Sequence, residues 1–320
     1  MAEGALRDRL DRTIDAIVQR RAATAALRDR ELAPLARVAA DLRHFPGLSF
    51  KARLRADLER KVVMSSALIG SQVREGLSTI TPYVKVGTAG LFEFLARVFG
   101  AVETSTTRVS AGLTRREVQI GTSTIVIEEG EADGMAPSRP AEFHVYVEDA
   151  DVVFQRALAN GATSLGEPAD RPYGERAGFV RDALGNHWFI ATHRGISHVP
   201  EGVGTVTPFI HAKGASEYID FLKRAFGAVE EQRDTFGAGL VRFSRLRIGN
   251  AAIELGEAES AGAAMPGAFY VNVRDVGQFY AQSVAAGAKP LSPPARQGDQ
   301  STVGRVEDPV GNLWLIAGPA

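Results

Sequence analysis

A carboxylate and an imidazole, Glu142 and His144, stand two residues apart in the run EFHVYV. In an extended strand that spacing puts both side chains on one face. Histidine titrates near neutrality, so His144 beside Glu142 is a candidate general base. A structural, hydrogen-bonded histidine is the other reading of the same residue. Arg176 and Glu175, in RPYGERAG, form a second candidate pair. A guanidinium there can hold a carboxylate or phosphate through two parallel bonds, while a plain exposed ion pair is the alternative. Other chemistries are poorly served. The chain has no cysteine, which removes thiolate nucleophiles, thiolate metal sites and disulfides. It shows no Gly-rich phosphate loop and no nucleophile elbow, and GTAG at Gly87–Gly90 reads as the start of a helix.

The elements that must position these residues are set by a chain of 320 residues, long enough for two or three domains. Its net charge of −1 gives no reason to expect nucleic acid or a membrane surface as partner. No apolar run approaches the ~18 residues of a membrane span. The N-terminus, MAEGALRDRLDRTIDAIVQRR, mixes acids and bases and lacks the apolar stretch of a secretory signal. The expected location is the cytoplasm, and the absence of cysteine fits a reducing compartment.

The strongest pattern is a duplication. ITPYVKV at Ile80–Val86 returns as VTPFIHA at Val206–Ala212, and FLARVFGAVE returns as FLKRAFGAVE. EFHVYVEDAD pairs with AFYVNVRDVG, and VRDALGNHW with VEDPVGNLW. Thr81 to Thr207 and Asp182 to Asp308 are both offsets of 126 residues. Each copy divides again into alternating strand-like runs around one helix-spaced stretch closed by glycine, such as FGA or NGA. The pattern is βαβββ, twice per copy. Residues 1–64 differ: Leu6, Leu10, Ile14, Ile17 and Val18 form a helical stripe, and Leu35, Val38 and Leu42 form another. Phe50, Leu54 and Leu58 form a third. Fourteen Lys and Arg against nine Asp and Glu make this segment basic, which reads as a solvated helical face. Residues 65–78 read as a linker.

These runs resemble the glyoxalase / bleomycin resistance protein / extradiol dioxygenase superfamily, the vicinal oxygen chelate proteins, and are most similar to its PhnB-like branch. The resemblance covers residues 79–318 in two tandem copies. It implies an α+β fold: four βαβββ units forming two glyoxalase-like domains with curled mixed sheets, preceded by an α-helical N-terminal segment. The domains would span 79–195 and 204–320. The superfamily includes lyases, isomerases, dioxygenases, thiol transferases and proteins that sequester drugs, so the fold alone does not fix an activity.

Metal-using members place four ligands, His, Glu or Gln, on cup-facing strand positions. By resemblance these fall at Thr81, Val126, Glu142 and Phe189 in copy one, and at Thr207, Glu254, Ala268 and Leu315 in copy two. A catalytic divalent site needs about three protein ligands and an open position, and each copy offers one. If halves swap between copies, Thr207 and Glu254 would join Glu142 and Phe189, with His144, His187 and His211 on the same faces. With unswapped copies, one cup would be lined by Tyr83, Lys85, Thr124, Glu142, His144, Tyr146, His187 and Phe189. The other would be lined by Phe209, His211, Glu254, Tyr270, Asn272, Leu313 and Leu315. Trp188 and Trp314 would point to the helices. Aromatic walls with a few polar groups suit a small organic molecule. The expected function is therefore a cup-shaped pocket for such a molecule without the usual metal, serving sequestration, resistance or a metal-free enzyme. Its ligand contacts would be Tyr83, Tyr146, Arg176, His187, Phe189, Phe209, His211, Tyr270 and Leu315, with His144 and Glu142 catalytic. One alternative is a divalent-metal (Zn, Ni, Mn or Fe) lyase, isomerase or dioxygenase that uses Glu142, Glu254 and His144. Another is an interaction protein acting through its N-terminal helices. A monomer that mimics a dimer and a homodimer both fit the duplication.

Overall fold

The computed structural model describes residues 76–130, 139–258, 265–297 and 301–319. All belong to the compact body of residues 63–320. The helical stripes of residues 1–64 and most of the 65–78 linker lie outside the described residues.

Four βαβββ units follow one another. The first is β1 (Ile80–Val86), α1 (Leu91–Phe99), β2 (Val102–Ser110), β3 (Leu113–Ile120) and β4 (Ser123–Gly130). The second is β5 (Glu142–Tyr146), α2 (Ala150–Ala159), β6 (Thr163–Arg171), β7 (Glu175–Arg181) and β8 (His187–His193). Copy two supplies β9 (Val206–Ala212), α3 (Ala215–Phe226), β10 (Val229–Thr235), β11 (Val241–Ile248) and β12 (Ala251–Glu257). It ends with β13 (Ala268–Asn272), α4 (Val276–Ala285), β14 (Lys289–Arg296), β15 (Ser301–Glu307) and β16 (Leu313–Pro319).

The helices begin where side-chain carboxylates meet their free N–H groups. Asp149 accepts from Val152 N at 3.0 Å to start α2, and Asp275 accepts from Gln278 N at 2.8 Å to start α4. Helices α1 and α3 begin after glycine, so a strand supplies their cap. Glu129 of β4 accepts from Gly90, Leu91 and Phe92 N at 2.7–3.1 Å. Glu257 of β12 does the same for Gly214 and Ala215 N. A carboxylate there also meets the positive end of the helix dipole.

The sheets cross the two copies. One eight-stranded sheet runs β10-β11-β12-β9-β5-β8-β7-β6 and the other β14-β15-β16-β13-β1-β4-β3-β2. The first uses one continuous stretch, Glu142–Glu257, and is called inner below. The second uses the two ends of the body and is called outer. Antiparallel pairs join the copies: β5 with β9, where Glu142 faces Phe209, and β1 with β13, where Tyr83 faces Ala268. This corrects the unswapped cups. Tyr83, Lys85 and Thr124 share a sheet with Tyr270, Leu313 and Leu315, whereas Glu142, His144 and His187 share one with Phe209, His211 and Glu254.

The apolar cores instead follow the copies. Leu95, Phe143, Phe154, Trp188 and Ile190 belong to one cluster drawn from copy one, joined by Val206. Phe226, Phe279, Trp314 and Ile316 belong to another drawn from copy two, joined by Ile80. Each core therefore fastens half of the inner sheet to half of the outer one through its helices. Trp188 and Trp314 sit in these cores, as the alternation predicts.

The repeated GNxW run is a structural knot. Asp182 Oδ1 accepts from Leu184 N and Asn186 N, and Oδ2 from Asn186 Nδ2 and Trp188 Nε1, all at 2.9 Å. Asn186 Oδ1 in turn accepts from Ala141 N at 3.1 Å, fixing the start of β5 beside β8. Asp308 repeats the pattern on Val310 N, Asn312 and Trp314, and also accepts from Tyr218 Oη at 2.7 Å. Gly185 and Gly311, at φ 91° and 90°, occupy the left-handed turn position that a side chain would strain.

Candidate functional site

Alternation decides what each sheet shows on the side away from its helices, called the cup face below. On β5, Phe143 and Val145 enter the helix-side core, so Glu142, His144 and Tyr146 face the cup. On β8, Trp188 and Ile190 go inward to that core, leaving His187, Phe189 and Ala191 on the cup face. The register then brings Glu254, Phe209, Glu142 and His187 into one row across four strands, and Thr207, His144 and Phe189 into the next.

Glu254 is fully buried at the centre of the inner cup. Its Oε2 lies 2.5 Å from His144 Nδ1, and its Oε1 accepts from Arg245 Nε at 3.0 Å and Nη2 at 2.8 Å. Burial pushes the Glu254 carboxyl up, but His144 and Arg245 outweigh it and hold the group below the usual range. Burial opposes the charged form of His144, yet Glu254, then Glu175 and Glu142, raise its pKa. Tyr146 stacks beside His144 with centroids 5.4 Å apart and donates to Glu175 Oε1 at 3.2 Å. Burial is the main cause that raises the Glu175 carboxyl.

Glu142 forms a second group nearer the rim. His187 Nδ1 lies 3.2 Å from its Oε2 and His211 Nε2 3.0 Å from its Oε1. Burial raises this carboxyl, but the two imidazoles bring it down to about 2. A depressed carboxyl stabilises the fold fully above its unfolded value of 4.5 and loses that contribution as pH falls through about 2. Glu142→Gln should therefore flatten the acid limb: between pH 5 and 2 its melting temperature should fall less than the parent's. Parallel slopes in thermal melts across that window would refute the assignment.

Three buried polar atoms of the inner cup have no hydrogen-bond partner among the described residues: His144 Nε2, Glu175 Oε2 and Arg171 Nε. Arg171 ends β6 opposite Glu175, and its guanidinium carbon stands 5.7 Å from the Phe189 ring centroid. The edge of His144 meets the same ring, with centroids at 4.4 Å and planes at 77°. Tyr146, Ala177 and Ala191 form an apolar floor with Phe189, Val199 and Val203.

The positions at which the resemblance expects metal ligands carry few free donors. In the inner cup they are Thr207, Glu254, Glu142 and Phe189. Phe189 has no donor atom, and the Thr207 hydroxyl donates to Gly204 O at 3.4 Å. Both carboxylates are already engaged by arginine or imidazole. Among the described residues no three His, Asp or Glu side chains are grouped to hold an ion. In the outer cup, Thr81 donates to Ser78 O, and Val126, Ala268 and Leu315 pack with Tyr83 in an apolar patch. Tyr83 and Tyr270 meet edge-on at 5.4 Å there, beside Arg115 and Glu128.

Two corrections follow. Tyr83, Tyr270 and Leu315 belong to a different cup from the remaining candidates. Arg176, expected at the rim, points to the helix side, where Asp151 of α2 grips it at 2.5 and 2.6 Å and Asp170 adds a third contact. Its neighbour Glu175 faces the cup instead. Arg245 and Arg171 were missed. Strand parity carried a signal for the first, because Leu246 and Ile248 are core residues and Arg245 must face the other way.

The family model described as the glyoxalase/bleomycin resistance protein/dioxygenase superfamily matches residues 206–316. An uncharacterised protein of Mycobacterium bovis is 30% identical over 120 residues, 34% of this chain and 79% of its own length. An uncharacterised protein of Mycobacterium tuberculosis matches at the same identity over 71% of its length. Among solved structures, glyoxalase I from Zea mays superposes with a TM-score of 0.60 at 13% identity, covering 75% of this chain and 92% of that one. This last likeness is one of fold. Among the described residues no helix is long and apolar enough to cross a membrane.

Proposed function

The chain belongs to the glyoxalase/bleomycin resistance protein/dioxygenase superfamily, and from that premise we propose that its inner cup binds a small organic molecule without the divalent metal used by many members. The observation that carries the reading is the set of polar atoms left over in an aromatic-walled cup. His144 Nε2, Glu175 Oε2 and Arg171 Nε are buried without partners among the described residues, beside Phe189 and Tyr146. Buried polar groups are almost always hydrogen-bonded, and each one left alone costs about 1–3 kcal/mol. A ligand with matching polar atoms relieves that cost on binding. Engaged carboxylates support the metal-free half of the reading. A cation entering here must displace Arg245 and His144 from Glu254, or both imidazoles from Glu142. Glu254 fixes Nδ1 of His144, so its Nε2 is the atom that would exchange a proton with a bound molecule.

Protein dialysed against a chelator should keep its hits in ligand-observed NMR against a fragment library. Elemental analysis should find no stoichiometric Zn, Ni, Mn or Fe. Stoichiometric metal that disappears in Glu142→Ala or Glu254→Ala, with fragment binding lost alongside it, would sink the reading.

A further inference from the structure

The three leftover atoms differ in what they can accept, and that difference restricts the ligand. An arginine Nε–H only donates. Arg171 spends one Nη2–H on the Ala177 carbonyl at 3.1 Å, lies over the Phe189 ring, and makes no ion pair among the described residues. Glu254 is paired with Arg245 and His144, and Glu142 with His187 and His211, while Glu175, opposite Arg171 in the β6–β7 register, has no ion pair among the described residues. Of the two guanidinium groups Arg245 and Arg171, Arg171 is the one without an ion pair among the described residues. The His144 ring stands 4.4 Å from the same Phe189 ring, centroid to centroid, and its Nε2 donates whenever the imidazole is charged beside Glu254. Ala177 and Ala191, both fully buried and small, pack with that ring.

Resting on the ligand-binding reading above, we propose that the inner cup selects organic carboxylates. The carboxylate group would lie between Arg171 Nε–H and His144 Nε2–H, and the flat or aliphatic body against Phe189 and Tyr146. Glu175 Oε2, unpartnered on the same face, would then meet the bound group, and burial raises that carboxyl. A proton held on His144 beside Glu254 favours the anion. Affinity should therefore rise as pH falls through the His144 titration, with Glu254, Glu142, Glu175, Tyr146, His187, His211, Arg245 and Arg171 facing the same space. A charged pair of this kind is worth roughly tenfold or more in affinity over a neutral isostere.

The test uses the full chain and isothermal titration with benzoate, phenylacetate and hexanoate, each against its own primary amide. The expected result is at least tenfold tighter binding of the acids. Arg171→Met should erase that preference, and Arg176→Met, on the opposite face, should leave it intact. Arg171→Gln serves if the methionine variant does not fold, and the acid-to-amide ratio of the parent needs no variant. Amides that bind as well as acids would overturn the carboxylate assignment and leave the ligand-binding reading standing. Failure of both series to bind, before and after chelator treatment, would overturn the two together. A preference for acids that survives at Arg171→Met and Arg171→Gln would also overturn the assignment.

Discussion

Glu254→Ala should lower the unfolding free energy by about 3–5 kcal/mol, the cost of breaking a buried ion pair from one side. The residue has no exposed surface and answers two N–H groups of Arg245 and one imidazole nitrogen of His144. Its removal leaves a guanidinium and an imidazole in a nearly dry place with nothing to balance them. Glu254→Gln keeps the volume and one acceptor, and should cost less. The pair also bounds the pH range of maximum stability from both sides. Glu254, depressed on folding, contributes above its unfolded value near 4.5, and that contribution fades as pH falls through the folded one. His144, raised on folding, contributes fully below 6.5, and its share fades as pH rises through the folded value. Urea titrations at pH 4, 6 and 8 should show the alanine variant with a flatter profile as well as a lower one. A loss under 1 kcal/mol at pH 6 would contradict this account of the cluster.

The second large effect concerns the state of association. Residues 79–195 expressed alone keep almost all of their apolar core, because only Val206 joins it from the other copy. They lose every strand that covers the inner edges of β1 and β5. Bare edges of this kind pair with whatever strand is offered. In the whole chain β1 pairs with β13, which is the copy-two counterpart of β5. The isolated copy should therefore form a homodimer through β1–β5 pairing, seen as a doubled mass in sedimentation velocity. A chain cut between residues 194 and 205 should keep its two pieces together until denaturant is added. A folded, monomeric single copy would rule this out.

Much of this was legible in the amino-acid order. GNHW and GNLW announced the duplication, and period-two alternation placed Glu142, His144 and His187 on the cup side and Trp188 on the other. The crossing of copies was not legible in the same way. Alternation states which face a side chain takes, and β1 looks the same whether β5 or β13 lies beside it. Arg176 was misplaced because RPYGERAG was read as a loop, whereas the strand already begins at Glu175 and turns its neighbour to the other face. Arg171 escaped because RPYG reads as a turn, while the strand before it runs to Arg171 itself. The charge balance around Glu254 needed Arg245 of the neighbouring strand, a pairing that register fixes and composition does not.

The crossed sheets also impose a schedule on synthesis. Ile80 is paired with Val271, nearly the full length of the body away. Copy one can gather its core as soon as β8 is made, and β9 follows soon afterwards to cover β5. Strand β1 must wait for β13, about 190 residues later, which at ribosomal speeds of about 5–20 residues per second is roughly 10–40 s. For that interval each nascent chain displays one bare edge of β1, whose natural complement is also present on its neighbours along the same messenger. Nested order thus makes polysome crowding, rather than the finished protein's stability, the condition under which this fold is most exposed to error.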